Sequence, residues 1–335
     1  MGQSLPRVIF RADGNQQTGY GHFIRTLGIA DLIQHDYYCL YATFQPTAYQ
    51  IAEIEKVCKA YITLTSTDQE ALEEEFLQHL RIGDLVVLDD YTASNSFQLR
   101  IRERGCKLIY IDDHNNKQYV CDALINNIPG FAEASFHKAP YTRLYLGTDF
   151  ALLRPAFLNP ALRDIPRQAR TVFLAFGGGD IHNLSEKIIE FLARIDPTLV
   201  LHLLIGDAYP YLDRLQRFQH VNIHKNLSAE AVANLIARSE ICIVPASSLL
   251  NETACIGSKI LIGFFADNQI QPYQYFVENQ LAVGLGDYRK LDFSTFKLYF
   301  QETLQADYLV TNQRLKYRLQ QATNLKKVFS DVQSN

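Results

Sequence analysis

The sequence predicts an α/β protein built from two Rossmann-like domains that face each other across a cleft. Three observations carry this reading. Short apolar, β-branched or aromatic runs alternate with amphipathic stretches of about ten residues, the pattern of parallel strands joined by right-handed crossovers. The series occurs twice, and each copy opens with a strand, a glycine-rich loop and a helix. Between the copies stand Pro155, Pro160 and Pro166 among several charges, a density that interrupts regular structure and marks a linker. The 335-residue length fits two domains. The expected division is 1–152, a linker over 153–170, and 171–335.

Taken in order, the first series has strand-like runs at residues 7–10, 37–44, 60–64, 85–88 and 107–111. The last two are apolar almost throughout, as strands covered on both faces must be. Amphipathic segments at 23–33, 48–59, 69–80 and 97–104 alternate with them, and shorter strands are expected near 123–127 and 143–147. The second series has strands at 171–176, 199–205, 221–224, 241–244 and 259–265. Asn183-Leu-Ser-Glu186 has the form of a capping box with Asn in place of Ser or Thr. Ser228 is placed to cap the Ala-rich helix ending at Ala237. Residues 311–332 read as one basic amphipathic helix, and no short-period repeat occurs.

Composition narrows the function. A net charge of −4, with 47% hydrophobic and 20% charged residues, describes a globular chain with enough apolar material for two cores. No basic run offers a footprint for nucleic acid, so the expected partner is a small molecule. Cys39, Cys58, Cys106, Cys121, Cys242 and Cys255 are scattered, several within apolar runs, and no C-x-x-C pair occurs. That pattern argues against a zinc site or a disulfide framework. No apolar run approaches the ~18 residues of a membrane span. Met-Gly-Gln-Ser-Leu-Pro leads straight into a strand, unlike a signal peptide. The expected location is the cytoplasm, and nothing in the pattern calls for more than a monomer.

Candidate chemistry lies where strands end, since ligands of parallel α/β sheets bind beyond the carboxyl edge. Gly177-Gly178-Gly179-Asp180 either brings backbone N–H groups close to an anion or forms a tight turn. It is neither a G-x-G-x-x-G fingerprint nor a Walker loop, so NAD and ATP are unsupported. Ser247-Ser248-Leu-Leu-Asn251-Glu252 opens another helix. Its hydroxyls and free N–H groups suit phosphate, and Glu252 suits ribose hydroxyls. Alternatively, Ser248 caps the helix and Glu252 complements its dipole.

Gly19-Tyr20-Gly21-His22, with Arg25 one turn later, sets an imidazole at a helix start. There the dipole disfavours imidazolium and leaves the neutral ring a general base needs; the alternative is a capping histidine. Asp89-Asp90-Tyr91 and Asp112-Asp113-His114 end strands, yet no Asp-x-Asp occurs, so solvated turn or N-cap aspartates are expected rather than metal ligands. Asn268-Gln269 offers amide donors to a sugar or phosphate, or simply a turn.

Arg11-Ala-Asp13, Gly19-Tyr-Gly-His22-x-x-Arg25, Asp89-Asp-Tyr91, Asp112-Asp113, Gly177-Gly-Gly-Asp180-x-x-Asn183-Leu-Ser185, Ala246-Ser-Ser248-Leu-Leu-Asn251-Glu252 and Asn268-Gln269 stand in one order along the chain. Together they resemble the UDP-2,4-diacetamido-2,4,6-trideoxy-β-L-altropyranose hydrolases of pseudaminic acid biosynthesis, over residues 7–285. The resemblance implies a GT-B-like fold with UDP in the C-terminal domain, the sugar in the N-terminal domain, and no metal or cofactor. By position, His22 matches the general base, Tyr91 and Asn268 accessory active-site residues, and Asp13 an acidic residue of the same motif. Glu252 matches the ribose-binding carboxylate. Gly19, Gly21, Arg25, Gly177, Gly178, Gly179, Asp180, Ser247, Ser248, Asn251 and Gln269 complete the expected substrate contacts. In the third position of the C-terminal glycine loop the family usually has Ser or Thr, and here stands Gly179. A GT-B glycosyltransferase and a non-catalytic UDP-sugar sensor are the alternative functions for such a chain.

Overall fold

The computed structural model describes residues 5–14, 20–206 and 209–334. The chain divides into two α/β units, residues 1–155 with 320–335, and residues 156–319. In the first unit the elements run β1 (Arg7–Ala12), α1 (Gly21–Ile33), β2 (Tyr38–Phe44), α2 (Ala48–Val57), β3 (Ala60–Leu64), α3 (Gln69–Leu77) and β4 (Leu85–Asp89). They continue with α4 (Asn95–Glu103), β5 (Lys107–Ile111), β6 (Gln118–Tyr119), β7 (Ala123–Asn126), β8 (His137–Lys138) and β9 (Arg143–Leu146). Seven strands form one parallel sheet in the order β3-β2-β1-β4-β5-β7-β9, while β6 and β8 pair separately.

Successive side chains of a strand point to opposite faces, and here both faces are covered. Val8, Phe10, Val87, Ile109 and Ile125 join one core with Phe23, Leu27 and Ala30 of α1. Ile9, Val86, Leu88, Leu108 and Tyr110 join the other with Phe76 and Phe97. The register aligns Ala12 with Asp89, and Leu88 with Tyr110. The carboxyl ends of β1, β4 and β5 therefore come level, and the acidic residues that follow them rise at one edge.

The second unit runs β10 (Gln168–Ala175), α5 (Leu184–Ile195), β11 (Val200–Ile205), α6 (Leu212–Leu215), β12 (Val221–Lys225), α7 (Ala229–Arg238) and β13 (Ser239–Pro245). It ends with α8 (Ser248–Ile256), β14 (Lys259–Phe264), α9 (Ile270–Glu278), β15 (Val283–Asp287), α10 (Phe293–Leu304) and α11 (Tyr308–Lys316). Its six parallel strands take the order β12-β11-β10-β13-β14-β15. Ser228 caps α7 as expected, its hydroxyl accepting from Ala231 N at 3.3 Å. Gly257, at φ 84°, closes α8.

Three boundaries differ from the sequence expectation. The proline-rich stretch is not a bare linker: Pro155–Leu158 and Pro160–Asp164 form 3₁₀ turns, and Phe157 and Leu162 are buried. Arg163 ties this stretch to the second unit by donating from Nε to the Cys255 carbonyl at 3.0 Å. The single helix expected at 311–332 is two, α11 and α12 (Gln321–Gln333), separated by a turn in which Leu319 takes φ 60°.

The final helix also belongs to the first unit, not the second. Leu325, Val328, Phe329 and Val332 form its apolar stripe and enter the core containing α1. Polar bonds fix it there, from Tyr145 OH to Asp331 at 3.1 Å and from Gln321 to the Thr148 carbonyl at 3.1 Å. All six cysteines are buried and unbridged. Among the described residues, no helix is long and apolar enough to cross a membrane.

Candidate active site

His22 is the second residue of α1, and its side chain does not cap the helix. The ring turns toward the carboxyl end of β4, where Nδ1 lies 2.7 Å from Asp89 Oδ1. Asp89 is fully buried, whereas the His22 side chain keeps 23% exposure. Burial pushes the Asp89 carboxyl up, but the charge and hydrogen bonds of Arg25, with a bond from His22, outweigh it and hold the group below its ordinary range. An ionised carboxylate only accepts, so Nδ1 carries a proton, and in the neutral ring the lone pair is then on Nε2. This is the arrangement of a base oriented by a buried acid.

Tyr91 forms the neighbouring wall. Its ring meets the His22 ring edge to face, with centroids 4.3 Å apart, and its other side meets His114 at 4.4 Å. The hydroxyl donates to Asp113 Oδ2 at 2.5 Å. Burial, reinforced by the Asp113 charge, pushes the phenol well above its ordinary range, so it stays protonated as a donor.

Asp89 and Asp112 at this edge are buried rather than solvated. Asp112 Oδ2 accepts from the backbone of His114 and Asn115 and from Tyr119 OH. Asp90 likewise serves its own turn, accepting from Thr92 N at 2.8 Å. Among the described residues, no three His, Cys, Asp or Glu side chains are grouped to hold a metal.

Two expected contacts in this unit have other duties. Arg25 is buried beneath the site with its guanidinium on Asp89 and Asp113, so it is placed to support the site rather than to meet UDP. Asp13 is gripped by Arg11 through two bonds of 2.6 and 2.8 Å, and it accepts from Phe44 N at 2.7 Å. Burial raises its carboxyl, but Arg11 and these bonds together lower it. Asp13 thus clasps the ends of β1 and β2. Gly21 opens α1 with free space where a Cβ would stand, and Gly19 lies outside the described residues.

In the second unit, β10 and β13 are neighbours with Leu174 opposite Ile243, so the loops that follow them emerge side by side. Gly177, at φ 87°, and Gly178 are exposed in the first loop, with Gly179 partly so. Gly178 approaches Gly206 so closely that a Cβ on Gly206 would stand 2.6 Å from the Gly178 carbonyl oxygen. Gly206→Ala should therefore cost about 1–3 kcal/mol, seen as a lower urea midpoint with an unchanged slope.

The expected capping box is absent. Asp180, buried, caps α5 instead by accepting from Leu184 N and Ser185 N at 2.8 Å each. Its carboxylate fills that helix terminus. Asn183, at φ 50°, bonds Glu186 and accepts from Tyr209 OH.

At α8 the situation is reversed. Ser247 is the N-cap residue, no side chain caps the helix, and the Ser247 and Ser248 side chains are exposed. The capping alternative for Ser248 fails, leaving an uncapped terminus suited to an anion. Glu252 is buried on the same helix. Asn251 faces inward, accepting from the buried Tyr317 hydroxyl at 2.5 Å. Asn268 is exposed, whereas Gln269 is buried and accepts from Phe265 N at 3.0 Å, stapling its own loop. The structure thus groups His22 with Tyr91, Asp89 and Asp113 in one unit, and the glycine loop with the α8 terminus in the other.

Two parallel-sheet units with binding loops at their strand ends define a GT-B protein, and solved structures agree. MurG of Acinetobacter baumannii is similar with a TM-score of 0.67 and 12% identity, covering 98% of this chain and 100% of its own. A UDP-glucosyltransferase from Polygonum tinctorium gives 0.67 and 10%, with both chains covered completely. No family model matches the chain. Among curated proteins, it is 27% identical over 281 residues to the UDP-2,4-diacetamido-2,4,6-trideoxy-β-L-altropyranose hydrolase of Campylobacter jejuni, spanning 78% of this chain and 93% of that one. It is 25% identical over 284 residues to the spore coat polysaccharide biosynthesis protein SpsG of Bacillus subtilis, spanning 82% of each. The chain is thus a relative of the UDP-diacetamido-trideoxy-altropyranose hydrolases, as its motifs indicate.

Proposed function

We propose that the protein hydrolyses a UDP-linked 2,4-diacetamido-2,4,6-trideoxy sugar in the cytoplasm, without a metal ion. The observation that carries this reading is the His22–Asp89 pair, which orients a partly exposed ring through Nδ1 and so assigns Nε2 as the accepting nitrogen of the neutral imidazole. A water oxygen attacks the anomeric carbon from the side opposite UDP and gives its proton to His22 Nε2. The anomeric C–O bond breaks, its electron pair leaves with the UDP oxygen, and the configuration inverts. Such a base contributes roughly 10²–10⁴-fold. The charge growing on the departing diphosphate is met by backbone N–H groups of the Gly177–Gly179 loop and of the uncapped α8 terminus. Asn268 and Tyr91 position water or sugar, and Glu252 accepts from the ribose.

Incubation with a panel of UDP-diacetamido sugars in EDTA, without acceptor, tests the reading. UDP and a free sugar of inverted configuration are expected, with ¹⁸O from labelled water found in the sugar and not in UDP. Release of UDP only on addition of an acceptor alcohol would instead make the protein a glycosyltransferase, and binding without turnover a sensor. Activity lost to EDTA and restored by magnesium would end the metal-free mechanism.

The nucleotide assignment is tested separately by melting. UDP at a hundredfold its Kd should stabilise the wild type by about 2.7 kcal/mol. Glu252→Ala should shrink that gain at the same UDP concentration, and an unchanged gain would remove the ribose contact.

A further inference from the structure

One buried side chain reaches both halves of the His22 site. Arg25 lies one turn along α1 from His22, and all three of its guanidinium nitrogens meet carboxylates. Nε and Nη2 fork onto Asp89 at 2.5 and 2.6 Å, and Nη1 donates to Asp113. Each carboxylate in turn holds one of the two aromatic groups, Asp89 the His22 ring and Asp113 the Tyr91 hydroxyl. We propose that Arg25 is the positioning residue of this site: it fixes the spacing of His22 and Tyr91 through Asp89 and Asp113, and offsets one of the two carboxylate charges of the cluster that holds the imidazole through Asp89.

The geometry alone makes Arg25 hard to replace. Only a planar guanidinium supplies a two-pronged contact to one carboxylate and a third donor to another; a lysine ammonium is a point charge on a flexible stem. The charge balance adds a second consequence. Two carboxylates and one guanidinium place a single net negative charge beside the ring. When His22 takes a proton, the cluster becomes neutral without moving an atom, the preorganised arrangement that lowers a charge-forming barrier.

The other groups around the ring do not upset this balance. Tyr91, from the loop after β4, is protonated, and His114, after β5, lies behind it. At the end of β1, Asp13 is paired with Arg11 and brings no net charge.

The catalytic arm of this inference rests on His22 being the base of the proposed hydrolysis; the positioning arm does not. NMR titration of ¹⁵N-histidine-labelled full-length protein reads the second without any substrate. Arg25→Gln leaves two uncompensated carboxylates and should move the His22 titration to higher pH by about one unit. Asp89→Asn should move it to lower pH. Arg25→Lys keeps the charge and should leave the midpoint near that of the wild type, yet lower kcat about 10–100-fold with little change in KM. Should Arg25→Gln fail to fold, Asp113→Asn replaces it, with the titration expected to move to lower pH.

Midpoints that stay put or move together in Arg25→Gln and Asp89→Asn would overturn the proposal. So would an unmoved midpoint in Asp113→Asn, or wild-type kcat in Arg25→Lys. Opposed shifts in a protein that turns over no UDP-sugar would refute the hydrolase reading and leave the role of Arg25 standing.

Discussion

His22→Asn should lower turnover by roughly two to four orders of magnitude, the usual worth of a general base, while substrate affinity barely changes. Asparagine keeps a polar side chain of similar reach that can still bond Asp89, but it takes up no proton at neutral pH. The pH–rate profile checks the assignment independently. Wild-type activity should fall on the acid side as the imidazole protonates, and this limb should be missing from the residual activity of the variant. Near-normal turnover in His22→Asn would remove the base from the mechanism.

A loss of similar size is expected from Asp89→Asn, although this side chain touches no substrate. An amide can present its NH₂ to Nδ1, which favours the tautomer with the proton on Nε2, where the water should deliver its own. In serine protease triads the equivalent change costs about 10⁴-fold in kcat, and about 10³–10⁴-fold is expected here.

Stability gives a second reading. The folded pKa of Asp89 lies below its unfolded value of roughly 3.9, so its ionisation stabilises the fold above that pH, and this contribution disappears as pH falls through the folded value. Urea titrations should show the wild type above Asp89→Asn at neutral pH, with the gap narrowing as the medium is acidified below about pH 4. A constant gap would mean that the Asp89 charge does not support the fold.

The sheets were legible because their strands are continuous apolar runs, and a run such as 85–88 has few other ways to be buried on both faces. The positions of His22, Tyr91 and the α8 serines were legible for a different reason: they stand directly after such strands or loops, at the edge where parallel α/β sheets bind ligands. The role of Asp89 was not. An aspartate after an apolar strand looks like any turn acid until the register sets it level with Ala12 and opposite the start of α1. Its position as the last residue of a strand with no other polar side chain was the available signal.

The carboxylate contacts of Arg25 were hidden for a related reason, since an arginine in a Gly-x-Gly-His-x-x-Arg motif looks like a phosphate ligand when its two carboxylate partners lie 64 and 88 residues away. Asp180 shows the limit of local capping rules. Asn183 and Glu186 had the right spacing, but the left-handed backbone at Asn183 let a carboxylate three residues earlier take the helix terminus.

The return of α12 to the first unit makes that unit discontinuous in sequence, and this has a consequence for synthesis. A ribosome delivers residues 1–155 first, yet Leu325, Val328, Phe329 and Val332, which complete one face of that core, emerge only after the whole second unit. The second unit, contiguous from 156 to 319, can close as soon as it is released, whereas the first must wait with an apolar face open until α12 has followed. The half that carries His22 is therefore matured by a helix translated after the whole of the other unit, and a stop codon just ahead of α12, after Leu319, would spare the second unit with its Gly177–Gly179 loop but leave His22 on an unfinished scaffold.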